Sequence, residues 1–212
     1  MNGSLNVASL DAIFGAQQSG KSALMKIATA IAKPARLMIW DPKREYRAFG
    51  TATESLKAMV NGALHGPRFR IVFQPALSRK EMRPQFDLFC KVANHVRDCA
   101  IVVDELADVT EPGWAPEGWE IVTRQGRHAG LVIMGASQRP ADVDKSFYGN
   151  ATRVAVFRLQ AEGDVDRMAK LIRRPRDEIT RLAPLEYLDL DVRSGAVAKK
   201  KLTARDLRRI PA

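Results

Sequence analysis

Short apolar runs alternate with segments in which apolar residues recur at helical spacing along most of the chain. The runs predict strands at residues 12–14, 37–40, 69–73, 100–103, 131–134 and 154–159. The helical spacing predicts helices around residues 23–31, 56–63, 82–96, 121–122 and 168–172. Strands that alternate with helices in this way form βαβ units, so we expect an α/β fold with a mostly parallel central sheet flanked by helices.

The segments between and after these elements carry further expectations. We place Pro84 in the first turn of the third helix, where proline is tolerated. Residues 108–118 are rich in proline and glycine and predict a loop, in or beside which Trp114 and Trp119 more often act as packing anchors than as base-stacking platforms. Residues 185–202 alternate around a polar turn and predict a β-hairpin at the sheet edge.

Length and charge bound the kind of protein. A chain of 212 residues without repeats or linkers fits a single domain over residues 1–212, with a core at about 8–183 and a hairpin with a basic tail at about 184–212. The formal net charge of +10 favours a polyanionic partner, because cations that neutralise phosphates release counterions. No secretory signal or membrane-spanning apolar run is present, so we expect a cytoplasmic protein without direct membrane insertion.

The two cysteines predict no cross-link. Cys90 and Cys99 lie nine residues apart around a predicted helix, and at about 1.5 Å of rise per residue they are too distant for a disulfide. Reduced thiols fit a cytosolic setting. His95 and Cys99 have i,i+4 spacing, but structural zinc needs four ligands and the chain has only 3 histidines.

A phosphate-binding motif follows the first predicted strand and opens the first predicted helix. The pattern G-x-x-x-x-G-K-[ST], known as Walker A, is matched at every position by Gly15, Ala16, Gln17, Gln18, Ser19, Gly20, Lys21 and Ser22. Glycines let the backbone wrap an anion, and the loop N–H groups and helix N-terminus direct positive charge inward. We expect Lys21 to reach the β- and γ-phosphates of ATP and the Ser22 hydroxyl to bind Mg²⁺.

The predicted strand at residues 100–103 ends in two carboxylates. Asp104 and Glu105 form a Walker B pattern, in which Asp104 would hold Mg²⁺ through water and Glu105 would orient or deprotonate the attacking water. The next apolar strand ends near Gln138, which could sense the γ-phosphate or the attacking water if that strand lies beside the Walker A strand. A glutamine after a strand would otherwise bond to loop backbone.

Together, the motifs resemble those of the HerA/FtsK superfamily of DNA-pumping ATPases. Besides Walker A and the Asp-Glu strand end, the resemblance rests on Gly126-Arg127-His128-Ala129-Gly130 and on Ser137-Gln138-Arg139-Pro140. The segment Asp41-Pro42-Lys43, followed by Glu45-Tyr46, also resembles the region after that superfamily's second strand. The resemblance covers residues 14–159, and Glu45 is a candidate site residue without an assigned role.

The resemblance implies a RecA-like P-loop NTPase core in a homo-oligomeric ring, usually a hexamer. Such a ring hydrolyses ATP between subunits and passes nucleic acid, here most simply double-stranded DNA, through its channel. An arginine of one subunit would complete the neighbour's site. Arg127 best matches that position and Arg124, one turn earlier, is the second choice; both also fit surface arginines on a solvated helix face.

In size, the chain is most similar to the small genome-packaging ATPases of membrane-containing phages and related viruses. That similarity implies a viral packaging motor with a capsid vertex or portal protein as partner. It rests on the absence of the extra N-terminal domain and membrane segments that other superfamily members carry. A filamentous-phage-type assembly ATPase is an alternative, although such proteins normally have a membrane anchor.

Two other classes of protein share part of this pattern. A small-molecule kinase acting on a nucleoside or nucleotide would have the P-loop, the length and the abundant arginines, but kinases need no hydrolytic base such as Glu105. A nucleotide-gated scaffold would bind ATP without turnover, which an intact hydrolytic set disfavours.

Two basic clusters are candidates for DNA contacts, although runs of charge are usually solvated faces. The first comprises Arg68, Arg70, Arg79, Lys80 and Arg83, and the second Lys199, Lys200, Lys201, Arg205, Arg208 and Arg209.

Overall fold

The computed structural model describes residues 8–76 and 78–211, with the side chain of Arg79 outside that description. Within these residues, nine strands form one sheet in the order β3-β4-β2-β5-β6-β1-β7-β8-β9. Their bounds are β1 Ser9–Phe14, β2 Arg36–Trp40, β3 Thr51–Thr53, β4 Phe69–Phe73, β5 Ala100–Val103, β6 Val132–Ser137, β7 Arg153–Phe157, β8 Glu186–Asp191 and β9 Val197–Lys201. The first seven strands in this sheet order, β3-β4-β2-β5-β6-β1-β7, pair in parallel. The last two, β8 and β9, form a hairpin that pairs antiparallel with β7. The expected α/β fold and edge hairpin are confirmed.

Helices cover both faces of the sheet. They are α1 Lys21–Ala32, α2 Leu56–Leu64, α3 Arg79–Val96, α4 Glu117–Gln125, α5 Lys145–Gly149, α6 Glu162–Ile172, α7 Arg176–Thr180 and α8 Ala204–Leu207. The helices α2 to α7 enclose the larger core, in which Trp40, Phe86 and Trp119 form an aromatic cluster. The other face is covered by α1 and by the C-terminal segment, whose Leu207 packs onto that smaller core.

The alternation of strand and helix has a direct geometric consequence. Every parallel strand ends at the same border of the sheet, which we call the carboxyl edge, and begins at the opposite border, the amino edge. The P-loop leaves β1 at the carboxyl edge, and α1 then runs back to the amino edge. Residues that directly follow β2, β5 and β6 therefore converge on the P-loop.

Some expectations about individual elements were wrong. The helix α3 begins at Arg79, so Pro84 lies in its second turn rather than its first. The predicted loop at residues 108–118 ends two residues early, because α4 begins at Glu117. The strand β3 was not predicted, since three residues are too few to show an alternating pattern.

The tryptophans and cysteines divide by burial. Trp119 is fully buried, whereas Trp114 is 42% exposed and has the Arg83 guanidinium 4.7 Å from its ring centroid, so the packing interpretation holds only for Trp119. Both cysteines carry free, buried thiols. Burial raises the pKa of Cys99 to about 12 and that of Cys90 well above its usual value, which keeps both thiols protonated. Within residues 8–76 and 78–211, no helix is long and apolar enough to cross a membrane.

Candidate nucleotide-binding site

The Walker A residues form a tight loop between β1 and α1 that only glycine permits at two positions. A Cβ atom on Gly15 would lie 2.5 Å from Phe157 Cβ and 2.6 Å from Ser19 Oγ. Gly20 has a φ of +119°, which side-chain-bearing residues rarely adopt. Phe157 is the last residue of β7, which pairs with β1, so the end of β7 packs directly against the loop.

Lys21, the first residue of α1, points into this loop. Its Nζ donates hydrogen bonds to the Gly15 carbonyl at 2.8 Å and to the Ala16 carbonyl at 3.0 Å. Burial lowers the pKa of Lys21, and the nearby carboxylates of Glu105 and Asp104 oppose that shift. The Ser19 hydroxyl is buried without a hydrogen-bond partner among the described residues. A buried hydroxyl and a desolvated ammonium in one loop fit an anionic ligand such as a phosphate.

Asp104 lies at the end of β5, where two hydroxyl groups hold its carboxylate. Ser22 Oγ donates to Asp104 Oδ2 at 2.8 Å, and Tyr46 Oη donates to the same oxygen at 3.1 Å. Burial raises the pKa of Asp104, and the hydrogen bond from Ser22 counteracts the increase. Mg²⁺ prefers oxygen ligands and binds through few protein groups together with substrate phosphates. The Ser22 and Asp104 oxygens at the mouth of the P-loop fit that donor set.

Glu105 follows in a strained backbone conformation. Its φ of 57° and ψ of 58° are left-handed, which is uncommon for a residue with a side chain and is concentrated at functional sites. The carboxylate accepts a hydrogen bond from Gln138 Nε2 at 3.0 Å and forms an ion pair with Lys43 through the same oxygen. The side chain of Glu105 is 10% exposed, whereas that of Lys43 is 43% exposed. Gln138 reaches Glu105 because β6, which precedes Gln138, pairs with β5. On its other side β6 pairs with β1, which is the arrangement that the expected role of Gln138 required.

Lys43 and Tyr46 belong to this site although their roles were not predicted from the sequence. Both lie in the loop after β2, which Asp41 folds back by accepting backbone N–H groups from Glu45 at 2.9 Å and from Tyr46 at 3.0 Å. This fold buries the Tyr46 side chain against Asp104, and burial together with the nearby carboxylate raises the pKa of its hydroxyl well above the usual value. The resemblance at Asp41-Pro42-Lys43 and Glu45-Tyr46 was the signal available in the sequence. The structure adds that β2 pairs with β5, which places this loop beside Asp104.

The remaining wall of the site comes from Glu45 and the C-terminal hairpin. Glu45 lies on the rim and pairs with Lys26 at 2.9 Å. Leu185, which precedes β8 with a φ of 66°, donates its N–H to the Ser19 carbonyl at 3.2 Å. These residues and the Walker A loop enclose a cavity of about 420 Å³. The start of the hairpin is therefore part of the pocket wall.

Arg124 and Arg127 lie apart from this pocket. Arg124 is in the last turn of α4, where its exposed side chain is 3.9 Å from Glu120. Arg127 is in a 3-10 turn before β6, at the amino edge, and lines a separate hollow with Ser9 and Arg153. With 6 residues in β6 and about 3.3 Å of rise per residue, the two edges are about 17 Å apart. Neither arginine serves the pocket of its own chain.

No family model matches the chain. Among curated proteins, it is 28% identical over 139 residues to Protein P9 of Pseudoalteromonas phage PM2, an alignment that covers 63% of this chain. The chain spans 61% of the length of that relative.

Solved structures share the fold. The genome packaging NTPase B204 from Sulfolobus turreted icosahedral virus 2, in complex with AMPPCP, has a TM-score of 0.76 at 20% identity and covers 92% of this chain and 98% of its own. The bacterial conjugative coupling protein TrwBdeltaN70 has a TM-score of 0.66 at 11% identity and covers 92% of this chain and 84% of its own. The chain has the P-loop NTPase fold that the sequence predicted.

Proposed function

We propose that the chain is an ATP-hydrolysing motor that moves double-stranded DNA, and that it acts as a homo-oligomeric ring in viral genome packaging. The observation that carries the proposal is the group of Lys21, Ser22, Asp104, Glu105 and Gln138 at one mouth of the P-loop cavity. Two neighbours in fold support the DNA assignment, one a viral genome packaging NTPase and the other a bacterial conjugative coupling protein. The relative in phage PM2 supports a viral setting.

Each side chain has a role in this proposal. Lys21 would leave the Gly15 and Ala16 carbonyls to neutralise phosphate oxygens, as the Walker A lysine does in P-loop NTPases. Ser22 and Asp104 would hold Mg²⁺, which when bound neutralises phosphate charge. Glu105 would orient and deprotonate the attacking water, while Gln138 and Lys43 fix the carboxylate.

The position of Arg127 supports the ring. Arg127 is exposed at the amino edge, and the length of β6, about 17 Å, separates that edge from the carboxyl edge where the pocket of its own chain lies. It can therefore complete a nucleotide site only in a neighbouring subunit whose carboxyl edge faces it. Arg124 lies on the same surface and is the second candidate. In this arrangement hydrolysis depends on assembly, and a capsid vertex or portal protein would hold the ring in place.

The test is ATP turnover by the purified protein with and without double-stranded DNA, with the assembly state followed by light scattering in the same samples. The proposal expects turnover to rise with DNA in samples that contain a ring-sized species. Turnover that ignores DNA in a monomer, and that needs a nucleoside or nucleotide acceptor, would overturn it.

A further inference from the structure

The two basic clusters defined from the sequence are not continuous cationic surfaces in the folded protein. Arg68 and Arg70 lie at the amino edge, whereas Lys80 and Arg83 follow the carboxyl end of β4 at the start of α3. In the second cluster, Lys199 pairs with Glu186 at 2.8 Å and Lys200 with Asp189 at 2.6 Å. Each of these two lysines therefore has a carboxylate partner in its own hairpin, although Arg153 shares Asp189. A different grouping of cations takes the place of the two clusters.

Two adjoining hollows at the amino edge share Lys33 and Arg70. The first, of about 460 Å³, also contains Arg68, and the second, of about 490 Å³, also contains Arg209. We call this surface, defined by Lys33, Arg68, Arg70 and Arg209, the basic groove. It forms because Lys33, the residue after α1, lies beside the start of β4, and because the C-terminal segment packs along α1.

The C-terminal segment is fixed in this position by its own contacts. Thr203 caps α8 with a reciprocal pair of hydrogen bonds to Asp206. Leu207 and Ile210 then pack on the core beside α1. Arg209, between them in sequence, is thereby held over the end of α1 rather than on a free tail.

Charge in the basic groove is unbalanced. The charged residues that line both hollows are all cations. Among the described residues, no carboxylate lies within ion-pair distance of these four side chains, although Arg209 is close enough to lower the pKa of Asp206. Elsewhere, exposed cations such as Arg174 and Arg181 have a carboxylate partner at 2.8 Å and 3.2 Å. Lys33, Arg68 and Arg70 therefore have no carboxylate partner among the described residues, and together with Arg209 they create a local field that attracts a polyanion.

One of the four is also oriented for binding. Arg70 donates its Nε–H to the Phe49 carbonyl at 2.8 Å, which fixes the plane of its guanidinium. Its terminal N–H groups remain for a ligand, and this planar fork matches a phosphate group. A continuous cationic groove of two hollows fits consecutive phosphates better than a single small anion.

We propose that the basic groove binds the phosphate backbone of double-stranded DNA, at the edge of the sheet opposite the nucleotide pocket. This inference rests on the proposed function and deepens it by naming the surface that holds the polymer. Binding there depends on charge and counterion release rather than on base sequence. It is separate from the residues that bind and hydrolyse ATP.

The test compares two triple variants that each lose three positive charges. The groove variant is Lys33→Ala/Arg68→Ala/Arg209→Ala, which keeps Arg70 because its Nε bond is structural. The control variant is Lys57→Ala/Lys145→Ala/Lys170→Ala, whose lysines are exposed, lie outside the groove and have no ion pair among the described residues. Dissociation constants for a blunt DNA duplex are measured at several salt concentrations.

The logarithm of the association constant for DNA falls as the logarithm of the salt concentration rises, and each neutralised phosphate adds about 0.9 to the steepness of that fall. In the groove variant the slope should therefore be less steep than in the wild type by about 2 to 3. The control variant should change that slope by less than about 0.5, because it removes long-range attraction only. Basal ATP turnover and the melting temperature should stay at the wild-type values in both variants.

Three outcomes would overturn the inference. Equal slopes for the two variants would mean that net charge alone matters. Unchanged DNA binding with lost binding to vesicles containing phosphatidylserine would assign the groove to a membrane surface. A wild-type protein without DNA binding or DNA-stimulated turnover would remove the proposed function as well, which distinguishes that failure from a failure of the groove alone.

Discussion

At the carboxyl edge of the sheet, the charged side chains around the P-loop pair with one another. At the amino edge, the cations of the basic groove have no carboxylate at ion-pair distance among the described residues. Lys43 pairs with Glu105, and Ser22 and Tyr46 both donate to Asp104. Lys33 and Arg68, by contrast, face solvent. Charged side chains are therefore paired with one another around the P-loop and largely exposed to solvent in the basic groove.

This difference separates two kinds of recognition. In the pocket, burial makes each hydrogen bond and ion pair depend on position, so the loss of one atom disturbs several others. In the groove, attraction acts through water over several ångströms and is weakened by salt. Substitutions in the pocket should therefore change chemistry steeply, and substitutions in the groove should change affinity in small, salt-dependent steps.

The largest effect is expected at the P-loop lysine. Lys21→Ala removes the buried ammonium that the loop encloses, so ATP turnover should fall to background. Lys26→Ala is the matched control, since Lys26 lies on the same helix but pairs with Glu45 on the rim. Turnover of the control should stay within about threefold of wild type, because Lys26 does not line the cavity and its partner Glu45 is 45% exposed, so the ion pair contributes little. A steady-state phosphate-release assay measures both, and equal losses would contradict the distinction between pocket and rim.

The amino edge contains one residue that should matter to chemistry. Arg127→Ala should reduce turnover by about 10³-fold, the scale of an arginine that acts on a neighbour's nucleotide. Because Arg127 is remote from the pocket of its own chain, mixing Arg127→Ala with Lys21→Ala subunits should restore part of the activity. In the mixture, some interfaces combine an intact Lys21 with an intact Arg127. No recovery, or a larger loss from Arg124→Ala, would reassign the role.

A substitution of Glu105, the proposed base, should reduce ATP turnover without preventing ATP binding. Glu105→Gln keeps the side-chain shape and removes the charge, so turnover should fall by about 10²-fold or more while ATP still binds. Glu178→Gln, which removes a carboxylate that pairs with Arg174 away from the pocket, is the control and should turn over ATP normally. Turnover and the dissociation constant for a fluorescent ATP analogue are measured for both. Normal hydrolysis by Glu105→Gln would show that another group activates the water.

A smaller effect is expected from a hydroxyl that touches no substrate. Tyr46→Phe keeps the buried ring and removes the hydrogen bond to Asp104, so the Mg²⁺ concentration that gives half-maximal turnover should rise several-fold. The free energy of unfolding should fall by about 1 kcal/mol. Tyr148→Phe, whose hydroxyl accepts a hydrogen bond from Arg167 away from the pocket, is the control. A Mg²⁺ dependence that shifts equally in both variants would mean that Tyr46 does not position Asp104.

These residues also show what the sequence alone could supply. The Walker A loop, Asp104, Glu105 and Gln138 follow from motifs and from the rule that parallel strands end at one edge. Lys43 and Tyr46 depend on how Asp41 folds the loop after β2, which involves hydrogen bonds to two specific N–H groups. The basic groove combines residues 33, 68, 70 and 209, which are distant along the chain. Sequence clusters predict local charge and cannot predict such a tertiary grouping.

The smallest expected effect is on the free energy of unfolding, which should distinguish an unpaired cation of the basic groove from a paired cation elsewhere. Arg68→Ala should change the free energy of unfolding by less than about 0.5 kcal/mol, because no partner is lost. Arg153→Ala, at the same edge, should cost about 2 kcal/mol, because Arg153 pairs at 2.6 Å with an Asp189 side chain that is only 7% exposed. Chemical denaturation at neutral pH measures both values.

The pH dependence of this difference gives a sharper test. Burial raises the pKa of Asp189, but hydrogen bonds from Arg153 and Lys200 outweigh it and leave the pKa below its usual value. A carboxyl group whose pKa is lowered in the folded state stabilises that state fully at pH values above its unfolded pKa of about 3.9. This stabilisation is lost as the pH falls through the pKa of the folded state. The penalty of Arg153→Ala should therefore shrink below about pH 4, whereas Arg68→Ala should show no such dependence. A pH-dependent effect of Arg68→Ala would mean that a carboxylate compensates the groove, and the contrast between the two surfaces would fail.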